Sequence, residues 1–133
     1  MKARIGIMSE ELIRVRLLAV AQGKYLPKEN EPKIWYTSFN TVSQLLRPEN
    51  IELLRLIDSE QPESLTQLSE LTGRAKSNLS NTLKALSEKG FIRLEQGKGK
   101  TVKPVAVFTD FEIVTNSELE YQLMQLSIET DAA

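Results

Sequence analysis

The stretch TGRAKSNLSNTLKALSEKG, residues 72–90, decides how the rest of the chain is read. Leu79, Leu83 and Leu86 stand at i, i+4 and i+7, the spacing that makes one buried stripe along a helix. At about 100° per residue, the opposite side carries Arg74, Ser77, Asn81, Lys84 and Glu88, with Asn78 and Ser80 on its flanks. Ser and Asn are mediocre helix formers, because their short side chains compete for backbone hydrogen bonds. Such a face is polar filler near a helix start, where caps favour these residues, or a surface that meets bases and phosphates. Asn bonds adenine bidentately, Ser reaches bases or phosphates, and Arg and Lys suit guanine edges and phosphate oxygens.

The residues on either side extend the pattern. Upstream, PENIELLRLIDSE from Pro48 has proline at a first helical position, acidic residues in the first turn, and Ile51, Leu54 and Ile57 on one face. SLTQLSELTG follows, with Ser64 and Gln67 in capping-box spacing, Leu65, Leu68 and Leu71 expected inward, and Gly73 as a left-handed stop. Downstream, Gly90 ends the helix and FIRLE reads as a strand. QGKGK is a basic glycine turn, and TVKPVAVF returns as a strand whose Pro104 implies an edge or bulge.

Charge is divided unevenly along the chain. Residues 74–103 hold eight basic side chains against Glu88 and Glu95, a balance of +6; with a net charge of −1, the remainder sums to −7. A local basic surface on an acidic body can neutralise phosphates without indiscriminate sticking. Zero Cys and zero His remove disulfides, thiolate zinc sites, cysteine nucleophiles and the commonest general base and metal ligand. Neither a Walker-type loop nor a dinucleotide glycine fingerprint is present. No enzyme, metal or cofactor is therefore expected. Glu10 and Glu11 interrupt what a signal peptide needs, and no run of about 18 apolar residues occurs. The expectation is a cytoplasmic chain without a membrane partner.

In order and spacing, LTQLSELTGRAKSNLSNTLKALSEKGFIRLEQGKGK resembles the winged helix-turn-helix regulators of the MarR-like and ArsR-like type, over about residues 48–108. The resemblance implies an α+β winged helix-turn-helix, in which helices precede a β-hairpin wing, with N- and C-terminal helical extensions. It implies that the helix of residues 76–89 enters the major groove of double-stranded DNA, with Ser77, Asn78, Asn81 and Lys84 at bases or groove walls and Lys98 and Lys100 on the wing. One departure is Ala75, where that family often caps the helix with Ser or Asp. The expected DNA-contacting set is Arg74, Lys76, Ser77, Asn78, Ser80, Asn81, Lys84, Arg93, Lys98 and Lys100, and the expected function is transcriptional repression. A winged-helix module that binds protein through the same surface is the alternative.

The ends are read separately. Residues 1–32 are expected to form a helix from Ser9 to Gly23, apolar most of the way round, followed by the proline-marked linker YLPKENEPK. Residues 33–108 are expected to be the DNA-binding domain, opening with the strand KIWYTSF and a short helix NTVSQLLR. Residues 109–133 form a strand and helix extension in which Ser117 and Glu120 have capping-box spacing and Leu119, Leu123 and Leu126 make a stripe, with Met124 and Ile128 beside it. That stripe packs on its own domain or serves a homodimer, since a two-fold protein reads palindromic half-sites. Leu12, Val15, Leu119, Leu123 and Leu126 are the expected partner-binding residues. The segment from ARIGIMSEELIRVR to NIELL also resembles the TumA-type antitoxins among predicted prokaryotic regulators, which implies a cognate toxin as a further partner.

Overall fold

The computed structural model describes the backbone of residues 1–132 and the side chains of residues 1–128. The chain is α+β, with six helices and five strands among the described residues. By its internal contacts it divides into two compact units, one of residues 43–110 with residues 1–2, the other of residues 3–42 with those from Phe111 onward. The expected boundary at residue 33 is thus displaced: residues 3–42 and the C-terminal extension share a unit, and only the segment after Val42 belongs with the basic stretch.

In the first unit, α3 (Pro48–Glu60), α4 (Leu65–Thr72) and α5 (Lys76–Glu88) lead into an antiparallel hairpin of β3 (Ile92–Gln96) and β4 (Val102–Ala106). Pro48 sits at the start of α3, where its missing N–H costs nothing. Ser64 Oγ accepts from Gln67 N at 3.1 Å while Gln67 Oε1 accepts from Glu63 N at 2.6 Å, so the expected cap at α4 forms reciprocally. Gly73 ends α4 at φ 72, a left-handed conformation that costs other residues strain. Leu53, Leu54 and Ile57 of α3, Leu68 of α4, Leu79, Leu83 and Leu86 of α5, and Phe91, Ile92 and Pro104 are buried. Each large apolar side chain of this set contributes about 1.5–3 kcal/mol over exposure. Three inward assignments differ: Leu53 takes the buried place expected of Ile51, Ile51 and Leu65 are half-buried, and Leu71 lies exposed. At about 100° per residue, Leu65 and Leu71 lie about 60° to either side of Leu68, and only Leu68 is centred on the core.

The second unit opens with a strand absent from the sequence reading, β1 (Lys2–Ile7). It pairs in parallel with β2 (Ile34–Tyr36), with Gly6 opposite Trp35. The crossover that a parallel pair requires is α1 (Glu10–Ala21), capped by Ser9. The strand β5 (Asp110–Val114) completes the sheet in the order β2-β1-β5. A Cβ on Gly6 would meet Trp35 Cζ3 at 2.1 Å, so only glycine admits the indole across β1. The final helix, α6 (Ser117–Ala132), packs on α1; its cap is Asn116, whose Oδ1 accepts from Leu119 N at 3.0 Å, rather than Ser117.

The proline-marked segment is a fastened strap rather than a free linker. Glu31 and Pro32 are buried, and the Glu31 carboxylate accepts from Arg16 Nε at 2.8 Å, Tyr25 Oη at 2.6 Å and Lys28 N at 3.0 Å. Burial alone would raise the Glu31 carboxyl, but the hydrogen bonds from Tyr25, Arg16 and Lys28 and the guanidinium charge outweigh it and hold it below the usual carboxylate range. Burial, followed by the Glu31 hydrogen bond, pushes the Tyr25 phenol up to about 12. The Arg16 guanidinium also lies 5.4 Å from the Trp35 ring centroid.

Candidate nucleic-acid interface

The leucine stripe settles which way α5 faces. With Leu79, Leu83 and Leu86 buried, Lys76, Ser77, Asn78, Ser80, Asn81 and Lys84 are all exposed. The helix begins where the spacing puts it, with Ala75 at the N-cap and no side-chain cap. The first turn is held instead by the preceding bend, where Ser69 Oγ donates to Arg74 O at 2.6 Å and Thr72 Oγ1 accepts from Arg74 N at 3.2 Å. Ser77, Asn78, Ser80 and Asn81 therefore have no capping duty, and none makes a side-chain hydrogen bond among the described residues.

The basic side chains divide into paired and unpaired. Arg93 lies 3.3 Å from Glu95 on its own strand, and Lys103 lies 3.6 Å from Glu63. Lys76, Lys84, Lys98, Lys100 and the half-buried Arg74 have no acidic partner among the described residues. Lys98 and Lys100 flank the hairpin turn, which is closed by Gly97 N donating to Thr101 O at 2.9 Å and Thr101 Oγ1 donating to Lys98 O at 2.7 Å. A Cβ on Gly97 would come within 2.5 Å of Thr101 Oγ1 and 3.1 Å of Glu63 O, so the turn sits tightly against the residues that open α4. With the Glu63 to Lys103 contact, this holds the hairpin to the helices of its own unit. Five uncommitted cations and four uncommitted hydrogen-bonding side chains thus belong to one compact unit.

Sequence reasoning missed the ground between helix and hairpin. The register sets Ile92, Leu94 and Gln96 against Ala106, Pro104 and Val102, so these side chains share one face of the hairpin. That face covers the core at Ile92 and Pro104 and runs beyond it at Leu94 and Val102. The result is an open cleft of about 390 Å³ whose lining includes Thr66, Ser80, Leu83, Leu94, Lys100 and Val102. The alternation in IRLEQ and TVKPV carries this signal once the register is known.

The expected partner-binding residues lie elsewhere and are largely consumed. Leu119 and Leu123 are buried with Met8 in a core of the second unit, against which Leu12, Val15 and Leu126 pack. The stripe was read correctly as apolar, but α1 and α6 satisfy each other with it. Among the described residues, the large apolar side chains left outside on α6 are Tyr121, Met124 and Ile128, at 64%, 53% and 59% exposure, and those on α1 are Leu17, Leu18 and Val20.

Among the described residues, no helix is long and apolar enough to cross a membrane, and no group of three or more His, Cys, Asp or Glu is placed to hold a metal ion. The sequence profile of the HVO_A0114 family matches residues 45–113, which span α3 to β5, and the chain belongs to that family. No curated protein matches the chain.

Proposed function

We propose that this member of the HVO_A0114 family is a sequence-specific double-stranded DNA-binding regulator, a repressor, built on a winged helix-turn-helix in which α5 is the recognition helix and the β3–β4 hairpin the wing. One observation carries the reading: the exposed face of α5 presents Ser77, Asn78, Ser80 and Asn81, whose side chains have no hydrogen-bond partner among the described residues. Short donors and acceptors beside Lys84, with Lys98 and Lys100 on the hairpin turn, fit a division between base edges and phosphates. The five unpaired cations give the electrostatic share of binding, and releasing the counterions they displace makes it salt-dependent.

The outer stripe of α6 supports a two-fold assembly, because a helix apolar on both faces lowers its free energy when the second face is covered. The antitoxin reading is narrower and rests on the resemblance of the N-terminal segment; its sign would be a stable complex with the product of a neighbouring gene. Titration of duplex DNA, including the DNA upstream of its own coding sequence, across a salt series tests the central claim. The expected slope of log affinity against log salt is between about −3 and −4.5 per copy. A flat response would instead make the same surface a protein-interaction module.

A further inference from the structure

The outer face of α5 is uneven across its width. At about 100° per residue, Asn78 and Ala85 lie about 60° and 40° to one side of Asn81, and Ser77 and Lys84 lie about 40° and 60° to the other. All of these residues are exposed. Ser80, farther round on the second side, lines the cleft beside the hairpin together with Lys100, so Lys84 stands on the hairpin side of the helix. The first side carries two amides and a bare methyl group and no charge. Lys76 lies about 140° from Asn81, off the face altogether, and α5 contains no arginine.

Each of these groups has its own complement in the major groove. An Asn amide donates to adenine N7 and accepts from adenine N6, and a methyl group packs on the thymine methyl, whereas guanine calls for the donors of Arg or Lys. The Asn78 and Asn81 side chains have no hydrogen-bond partner among the described residues, so donor and acceptor of each amide are open to a base edge. Along the helix, Asn78 and Asn81 are about 4.5 Å apart and Asn81 and Ala85 about 6 Å, which together span about three base steps of about 3.4 Å. Glu88 then brings a carboxylate back to the same face, where phosphates repel it, so contact ends near Ala85.

We infer that α5 selects A·T pairs: Asn78 and Asn81 each take an adenine edge and the Ala85 methyl meets a thymine methyl, within one run of about four base pairs. The inference rests on the DNA-binding reading and adds to it the class of base pair that the helix accepts. Lys84, on the hairpin side, holds phosphate and takes no part in the selection.

Selection of duplexes by the full chain from a random library tests it. The expected consensus is A·T over a run of about four adjacent pairs. Each A·T pair of the selected duplex is then replaced by inosine·cytosine, which keeps the minor groove of A·T but shows the major groove the pattern of G·C. At two pairs of the run affinity should fall about tenfold or more, and in Asn81→Ala one of these penalties should vanish while the other stays. Deoxyuridine in place of thymidine removes the methyl group alone and should cost about fourfold at one pair. A·T duplexes that tolerate inosine·cytosine at every pair would owe their selection to the shape of the minor groove, which overturns the inference. A guanine-centred consensus, or no consensus among retained duplexes, overturns it as well. If no duplex is retained even at low salt, the DNA-binding reading fails and takes this inference with it, an outcome distinct from retention without A·T selection.

Discussion

Helices α5 and α6 bury the same stripe and turn different faces to solvent. Leu79, Leu83 and Leu86 on one, and Leu119, Leu123 and Leu126 on the other, repeat the spacing i, i+4, i+7 and pack within their own units. Outside, α5 shows Ser, Asn and Lys, whereas α6 shows Tyr121, Met124 and Ile128. The inner stripe therefore says only that a helix is packed, and the outer face carries the functional information. Each outer face also gives up stability: α5 by low helix propensity, α6 by leaving apolar surface in water.

The largest effects should come from the stripes the two helices share. Leu79 and Leu123 are both fully buried, so Leu79→Ala and Leu123→Ala should each destabilise by about 2–5 kcal/mol through lost transfer energy and residual cavity. Urea denaturation by circular dichroism measures both. The chain has one tryptophan, Trp35, and it lies in the second unit, so its fluorescence isolates the Leu123 effect. A loss below about 1 kcal/mol for Leu123→Ala would mean that α6 is only loosely docked and that the two helices are not equivalent.

The next effect belongs to the second unit alone. Glu31→Ala leaves Arg16 and Tyr25 without their shared partner in a nearly buried site, and should cost roughly 2–3 kcal/mol. Because the Glu31 carboxyl is held below its ordinary range, its contribution is fully present above the unfolded carboxylate value and is lost as pH falls through the lowered one. Trp35 fluorescence should thus show the parent losing stability more steeply than Glu31→Gln on acidification. Tyr25 acts in the opposite direction: its contribution is fully present below the ordinary phenol value of 10.0 and is lost as pH rises from there through about 12.

These two sets of residues also mark what was legible in the sequence. The first unit could be read almost element by element, because its signals are local: Pro48, the Ser64 to Gln67 cap, Gly73, the leucine stripe and the basic turn each act within a few residues. The second unit was not, since its decisive contacts are distant in sequence. β1 is recognisable only through its parallel partner 29 residues on, Ile5 with Ile34, and Gly6 gains meaning only when Trp35 lies across it. The prolines at Pro27 and Pro32 imitate a linker, and nothing local announces that Glu31 will meet Arg16. For the candidate interface the exposed residues of α5 were legible from periodicity, whereas the cleft required the hairpin register.

A smaller effect should separate reading from holding on α5. Asn81→Ala should relax base preference at a cost of about 1–3 kcal/mol, while Lys84→Ala should weaken all duplexes alike and shallow the salt slope by about one unit. Binding measured across single-base operator variants distinguishes them. Equal, sequence-independent losses would reduce the outer face of α5 to a phosphate surface.

The smallest effect is the most discriminating for the face as a whole. The Asn81 side chain makes no hydrogen bond among the described residues and lies beyond the first turn, where a cap would have placed it. Alanine is the better helix former, so Asn81→Ala should raise stability by about 0.5 kcal/mol while it lowers specific DNA affinity. Opposite signs from one substitution are what a residue kept for contact predicts, as stability is given up where function needs the group. Polar filler predicts a gain in stability with no change in binding, and a hidden structural role predicts a loss in both. Denaturation and duplex titration on the same preparation read the two signs together, and a loss of stability would return Asn81 from the interface to the fold.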